Sequence, residues 1–225
     1  MATAEAYGTR PHDMQALTDA LRAAIARPGH RSSDFDLNPE LSADAATAGK
    51  RKLRNAGVLV AVDVSAAEPR LILTKRSSRL AHHPGQIAFP GGKQDPEDAD
   101  ATATALREAE EEIGLPRDLP QVLGHLPPHE TVTNFLVTPV IALIHEPFTL
   151  RPEPGEVEEV FRVPFDHVMA PDRYAIESRR WLGIHRRYYT VPYGPYYIWG
   201  ATARMLRELA ARMAGDQSPD HSNFL

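Results

Sequence analysis

Residues 89–115 read FPGGKQDPEDADATATALREAEEEIGL. Three carboxylates in this stretch, Glu108, Glu111 and Glu112, follow a double glycine, Gly91-Gly92, and come directly after Arg107. At about 100° per residue with Glu108 at the origin, Glu111 falls near 300° and Glu112 near 40°, so on a helix the three share about one third of the circumference. Thr102, Leu106, Ala109 and Ile113 fall at about 100–160° and make an apolar face beside them. Glu110, at about 200°, points away and reads as solvated. Glu108 and Glu112 repel as an i, i+4 pair by roughly a few tenths of a kcal/mol, and a bound cation reverses that sign. Oxygen-only ligands favour hard ions such as Mg²⁺ or Mn²⁺. The turn at Gly91 and Gly92 lets backbone come close to a phosphate. The combination describes a divalent-metal site facing a phosphorylated substrate. An acidic, solvent-facing helix would account for three glutamates alone. It does not account for the strand-like Gln86-Ile87-Ala88-Phe89, the Pro90-Gly91-Gly92 turn and an arginine immediately before the first glutamate of the cluster.

Periodicity shows the elements that must position these residues. Residues 1–28 hold a short amphipathic helix, with Met14, Leu17, Leu21 and Ile25 at helical spacing and Pro28-Gly29 as its stop. Residues 29–50 are rich in Ser, Asp, Ala and Gly and read as a linker or loosely packed arm. Strands are predicted at 56–64, 71–75 and 87–89, and the glutamate helix over about 98–113, with Gly114 as its left-handed cap. Further strands follow at 122–126, 137–144 and 157–163. The aromatic segments 187–191 and 196–199 are β-prone, and a last helix covers about 201–213. Strands on both sides of one helix, plus a terminal helix, give an α/β sandwich. The organisation expected is a helix and linker arm at 1–50, one domain at 51–215 and a flexible tail at 216–225.

Composition narrows the function. The chain of 225 residues is 42% hydrophobic and 24% charged, enough for one good-sized core. Its formal net charge of −5 argues against general binding to nucleic acid or an anionic membrane. With no cysteine there is no disulfide framework, thiolate metal site or cysteine nucleophile. The N-terminus shows no secretory signal, and no apolar run approaches membrane-spanning length. A cytoplasmic soluble protein, monomer or homodimer, is the expectation.

The segment from Gly92 to Leu115 resembles the signature of the Nudix hydrolases, G-x5-E-x7-R-E-U-x-E-E-x-G-U with U a bulky apolar residue. The second half fits, except that Ala109 stands at the first U. In the first half Asp98 replaces the glutamate, and eight residues rather than seven separate it from Arg107. Asp98 or Glu97 is then expected to take over the pairing with Arg107 that orients the loop. Upstream, LILTKRSSRLAHHPGQIAFPGG (71–92) resembles the stretch that marks the coenzyme A pyrophosphatase branch, which also carries the longer box. Leu73, Thr74, Arg76, Ser77, Leu80, His83, Gly85, Gln86 and Phe89 to Gly92 fit it, while Ala81 stands where that branch has arginine. Residues 126–140, 156–164 and 198–203 are also similar, so the resemblance covers about 50–210.

The resemblance implies a Nudix-type α/β/α sandwich with a mixed β-sheet, plus the N-terminal helical arm. It implies metal-dependent hydrolysis of the diphosphate of coenzyme A, and of acyl or oxidised forms, to 3′,5′-ADP and 4′-phosphopantetheine. Mg²⁺ or Mn²⁺ would be held by Glu108, Glu111 and Glu112, with the Gly91 carbonyl as a further ligand. Arg107 would orient the glutamates. The general base would be Glu111 or a carboxylate outside the box, for which Glu156 competes with Glu153, Glu158 and Glu159. In a chain of net negative charge, cations must be supplied locally, and Arg76 is the leading candidate to meet the substrate phosphate. His83 would donate to phosphate, shuttle a proton or merely bond backbone, and Gln86 would cap the phosphate loop or touch substrate. The aromatic residues between Tyr188 and Trp199 either stack adenine, line a pantetheine channel or, as is commoner, pack the sheet. Rival readings keep the fold but change the substrate to ADP-ribose or a dinucleotide, or make the chain a non-catalytic ligand sensor.

Overall fold

The computed structural model describes residues 11–39, 52–80, 83–181 and 184–215. The predicted tail at 216–225, most of the predicted linker, and Ala81 lie outside the described residues.

A parallel pair stands at the centre of the sheet. Strands β2 (Arg54–Asp63) and β8 (Phe135–Ile144) run side by side over ten residue pairs. Both strands are near-continuous apolar runs, as strands buried on two faces must be. Alternation divides their side chains between two cores. Leu59, Ala61, Val140, Ala142 and Ile144 face the glutamate helix (Ala101–Ile113), where they meet Ala105, Ala109 and Ile113. Val60, Val62, Ile141 and Leu143 face the other way, toward the N-terminal helix (Pro11–Ala26) and the C-terminal helix (Gly200–Ala214), meeting Leu17, Leu21, Leu206 and Leu209. The result is an α/β/α sandwich.

The remaining strands extend the sheet on both sides. β3 (Arg70–Arg76) pairs antiparallel with β2, with the short β4 (Ile87–Ala88) and with β9 (Val157–Pro164). β5 (Gly91–Lys93) pairs with β2, and β6 (Gln121–His125) and β7 (His129–Glu130) pair with β8. With parallel and antiparallel ladders together, the sheet is mixed. Among the described residues, no helix is long and apolar enough to cross a membrane.

Three expectations change. Residues 32–38 are not a loose linker. Ser32–Ser33 forms β1 alongside β7, and the buried Asn38 bonds the backbone of Arg187 through both ends of its amide. Asp34 accepts from His129, Arg186 and the Val132 N–H; burial opposes its charge, but these donors hold its carboxyl below the ordinary range. Polar composition concealed this segment because its contacts are hydrogen bonds rather than apolar burial. Second, Ala175–Trp181 (β10) forms a hairpin with Ile184–Thr190 (β11) although Glu177, Ser178, Arg179 and Arg180 are all exposed and show no apolar alternation. Third, residues 196–199 make isolated bridges rather than a strand, next to Pro192 and Pro195, which lack the N–H a ladder requires.

Leu21 lies fully buried in the same core as the sheet. Leu21→Ala is expected to lower the unfolding free energy of the full chain by about 2–5 kcal/mol in urea titration. A loss below about 0.5 kcal/mol would mean that the N-terminal helix is not part of the cooperative core.

Candidate active site

The glutamate helix begins three residues later than its sequence predicts. Asp100 is the N-cap, its carboxylate accepting from the Ala103 N–H at 2.8 Å. Asp98 is engaged elsewhere. Its carboxylate takes Arg107 Nε at 3.0 Å and Nη2 at 2.8 Å, and the Asp95 N–H at 3.0 Å. Hydrogen bonds from Arg107 hold this carboxyl well below the usual carboxylate range, against the effect of burial. Asp98, not Glu97, therefore takes over the loop-orienting pair. At the far end Gly114 closes the helix in the left-handed conformation, φ 73°. The Arg151 and Glu153 N–H groups then bond the carbonyls of Ile113 and Glu112, both at 2.9 Å. These two bonds tie the loop leading to Glu156 onto the end of the helix.

Close backbone approach explains the double glycine. Gly91 has φ 152°, and a Cβ there would stand 2.5 Å from the Gly57 carbonyl oxygen. A Cβ on Gly92 would stand 2.5 Å from Glu108 Oε1. Only glycine lets this loop lie against the helix with the Glu108 carboxylate between them.

The three box glutamates do not behave alike. Glu112 is 3% exposed and accepts from the Gly91 N–H at 3.1 Å. Burial pushes its carboxyl up to about 8; Glu108 and Glu156 add to the rise, and Gly91 and Arg76 oppose it. Glu108 is half-buried and also raised, mainly by burial, with Arg107 opposing. Glu111 is exposed and bonds Arg107 Nη1 at 3.0 Å; the same nitrogen donates to Glu108 Oε1 at 3.1 Å. The carboxylates that converge are Glu108, Glu112 and Glu156, with ligand oxygens within 4.8 Å of one another. Glu111 borders this group without joining it. The buried face of the helix is turned relative to the predicted one: Thr104, Ala105, Ala109, Glu112 and Ile113 are buried, whereas Thr102 and Leu106 are only partly so.

The other candidates separate clearly. Arg107 also donates to the Lys93 carbonyl, so its guanidinium serves the loop and the glutamates. Arg76, at the end of β3, lies close enough to Glu112 to oppose the rise in its pKa. The chain beyond it folds back, with Arg76 N–H donating to the Gln86 carbonyl and Gly85 N–H to the Arg76 carbonyl. His83 sits in that turn at φ 55°, exposed, its carbonyl accepting from Gln86 N–H. The Gln86 side-chain nitrogen lies near Gly200 at the start of the C-terminal helix, 4.0 Å from where a Cβ there would stand. Lys75 is tied to Glu158 at 2.6 Å, Glu159 accepts from Tyr196 Oη at 2.6 Å, and Glu153 accepts from the Gly155 N–H. Of the four acids competing outside the box, Glu156 alone enters the cluster. The pairing of Arg76 with Val157 puts it there, and that register is invisible from spacing alone.

The sequence model of the NUDIX domain matches residues 53–182. The chain belongs to the Nudix hydrolase family. It is 37% identical over 194 residues to a protein of Yersinia enterocolitica named uncharacterized Nudix hydrolase NudL, covering 84% of this chain and 96% of that one. The Escherichia coli K12 protein of the same name is 41% identical over 160 residues, 71% of this chain and 83% of that one. Among solved structures, the MutT protein of Methanosarcina mazei is similar over 76% of this chain and 99% of its own, with 16% identity and a TM-score of 0.47. The acidic cluster of this Nudix hydrolase joins two glutamates of one helix, Glu108 and Glu112, with Glu156 from the loop before β9.

The raised Glu112 carboxyl has a sign that can be tested. A carboxyl whose pKa is higher folded than unfolded stabilises the fold below its unfolded pKa, about 4.3, and loses that contribution as pH rises through its folded value, here about 8. In chelator-treated protein, the stability of wild type relative to Glu112→Gln is expected to fall between these limits. A flat difference across that range in denaturant titrations would contradict the burial of this group.

Proposed function

We propose that this Nudix hydrolase cleaves the diphosphate of coenzyme A to 3′,5′-ADP and 4′-phosphopantetheine, with acyl or oxidised forms as further substrates. The observation that carries the reading is the charge of Arg76 acting on Glu112, with Gly85 and Gln86 bonded back to the Arg76 backbone. A substrate phosphate meeting Arg76 would lie beside Glu112.

The donor set fits a hard divalent ion: three carboxylates, no thiolate or imidazole, and one buried carboxyl that stays protonated when nothing compensates it. Glu108, Glu112 and Glu156 would hold Mg²⁺ or Mn²⁺, with Glu111 at the rim. Bound there, such an ion neutralises diphosphate oxygens and lowers the pKa of a coordinated water. The chain's own residues do the rest. Arg76 binds and orients the phosphate that is attacked. Gly91 and Gly92 bring the loop against the helix, and the Gly91 N–H fixes the Glu112 carboxylate. Arg107 positions Glu108 and Glu111 and is itself fixed by Asp98. Glu111 accepts the proton of the attacking water, being the exposed carboxylate next to the cluster but outside it. Attack is in line, and the other phosphate leaves. His83, exposed on the folded-back turn, would donate to the outer phosphate. Gln86, near the start of the C-terminal helix, would touch the substrate there.

Coenzyme A, ADP-ribose and NADH assayed side by side with Mg²⁺ or Mn²⁺, with products identified, test the substrate. Coenzyme A is expected to give the highest kcat/KM, by about tenfold or more, with 3′,5′-ADP and 4′-phosphopantetheine as products. Preference for ADP-ribose or NADH would overturn the coenzyme A assignment. Glu111→Gln is expected to lower kcat about 10²–10⁴-fold with an unchanged unfolding midpoint. Near-normal turnover would move the base elsewhere.

A further inference from the structure

The hairpin of β10 and β11 forms a sheet of its own, and among the described residues no other strand pairs with β10. The direction of the unused backbone groups of β10 follows from its neighbours. The Asn38 amide accepts from the Arg187 N–H at 2.7 Å and donates to the Arg187 carbonyl at 2.9 Å, so both groups of Arg187 point away from β10. Arg187 stands opposite Ser178. In an antiparallel ladder such a pair exchanges no hydrogen bonds, and alternation turns the N–H and carbonyl of Ile176, Ser178 and Arg180 to the outer edge of β10. An edge of this kind is a template for a further strand.

We propose that the outer edge of β10 pairs antiparallel with the same strand of a second copy of this chain, about a two-fold axis through Ser178. Charge selects both the occupant and the register. Glu177 and Arg179 flank Ser178, both exposed. A two-fold axis through Ser178 sets Glu177 of each copy opposite Arg179 of the other and overlaps all seven residues of the strand. An axis through Glu177 or Arg179 would put like charges face to face, which destabilises a ladder. An axis through Ile176 or Arg180 would overlap only 175–177 or 179–181. The backbone supports the same register. Ser178 meets its copy as a hydrogen-bonded pair, and Glu177 meets Arg179 in the non-hydrogen-bonded pairs, where Cα atoms come within about 4.5 Å and side chains are closest. Within the hairpin neither residue has an opposite charge across the ladder, since Glu177 faces Tyr188 and Arg179 faces Arg186. Glu177 Oε2 accepts from Tyr197 Oη at 2.8 Å, and the Arg179 guanidinium lies 5.0 Å over the Trp199 ring. Those contacts leave a carboxylate oxygen and guanidinium N–H groups for the second copy. Charges on an edge strand ordinarily deter pairing. Here opposite signs at positions related by the two-fold axis turn them into the selecting contact.

Sedimentation velocity of the full chain between about 1 and 100 μM tests the pairing, with no dependence on substrate or turnover. The wild type is expected to sediment as a dimer in the upper part of that range. Glu177→Arg and Arg179→Glu, each alone, place like charges in both contacts and are expected to raise the dimer dissociation constant at least about tenfold. An equimolar mixture of the two variants matches every such pair with an opposite charge and is expected to restore association to the wild-type level. A variant that had merely failed to fold could not be rescued in this way. A wild type that stays monomeric at about 100 μM, single variants that associate as the wild type does, or a mixture that stays monomeric sinks the proposal.

Discussion

Three carboxylates within 4.8 Å repel one another, and much of the local structure serves to bear that repulsion. Glu112 is the strained member: buried, near two other acids, with one backbone N–H and the opposing charge of Arg76. Folding would ordinarily remove such a group or pair it fully. Here the pairing is partial. Among the described residues, Arg107 is the guanidinium bonded to Glu108 and Glu111, and much of its capacity goes to Asp98 and the Lys93 carbonyl. The site keeps a deficit of positive charge of the kind a divalent ion can satisfy.

The fold positions this deficit with few parts. The parallel β2–β8 pair provides a two-sided floor, one side for the glutamate helix and the other for the N- and C-terminal helices. β3 ends at Arg76, whose charge opposes the rise in the Glu112 pKa. Segment 32–38 fastens β7 to β11 through Ser32, Asp34 and Asn38, so the hairpin that supports Trp199 is tied to the same sheet.

Much of this was legible in the sequence, for physical reasons. Buried strands announce themselves by apolar runs, as β2 and β8 do, and the Glu–Gly punctuation of the box marks one helix with its C-terminal cap. The replacement of the usual glutamate by Asp98 was legible as well, because an aspartate placed after a longer loop can still reach Arg107. Burial of Glu112 was not, since wheel angles order residues around a helix without saying which sector the sheet covers. Small Ala105 and Ala109 were the available hint that the sheet comes close near Glu112. Glu156 entered the cluster through strand register, and Asp34 and Asn38 through hydrogen bonds; neither leaves a periodic trace. β10 stayed hidden because its pairing is satisfied by backbone while its side chains face water.

In the proposed cation site, Glu156 joins Glu108 and Glu112. Calorimetric titration of Mn²⁺ into the substrate-free wild type and Glu156→Gln tests it most directly. The account predicts that Glu156→Gln binds Mn²⁺ at least about tenfold more weakly with an unchanged unfolding midpoint. Wild-type affinity in that variant would contradict it.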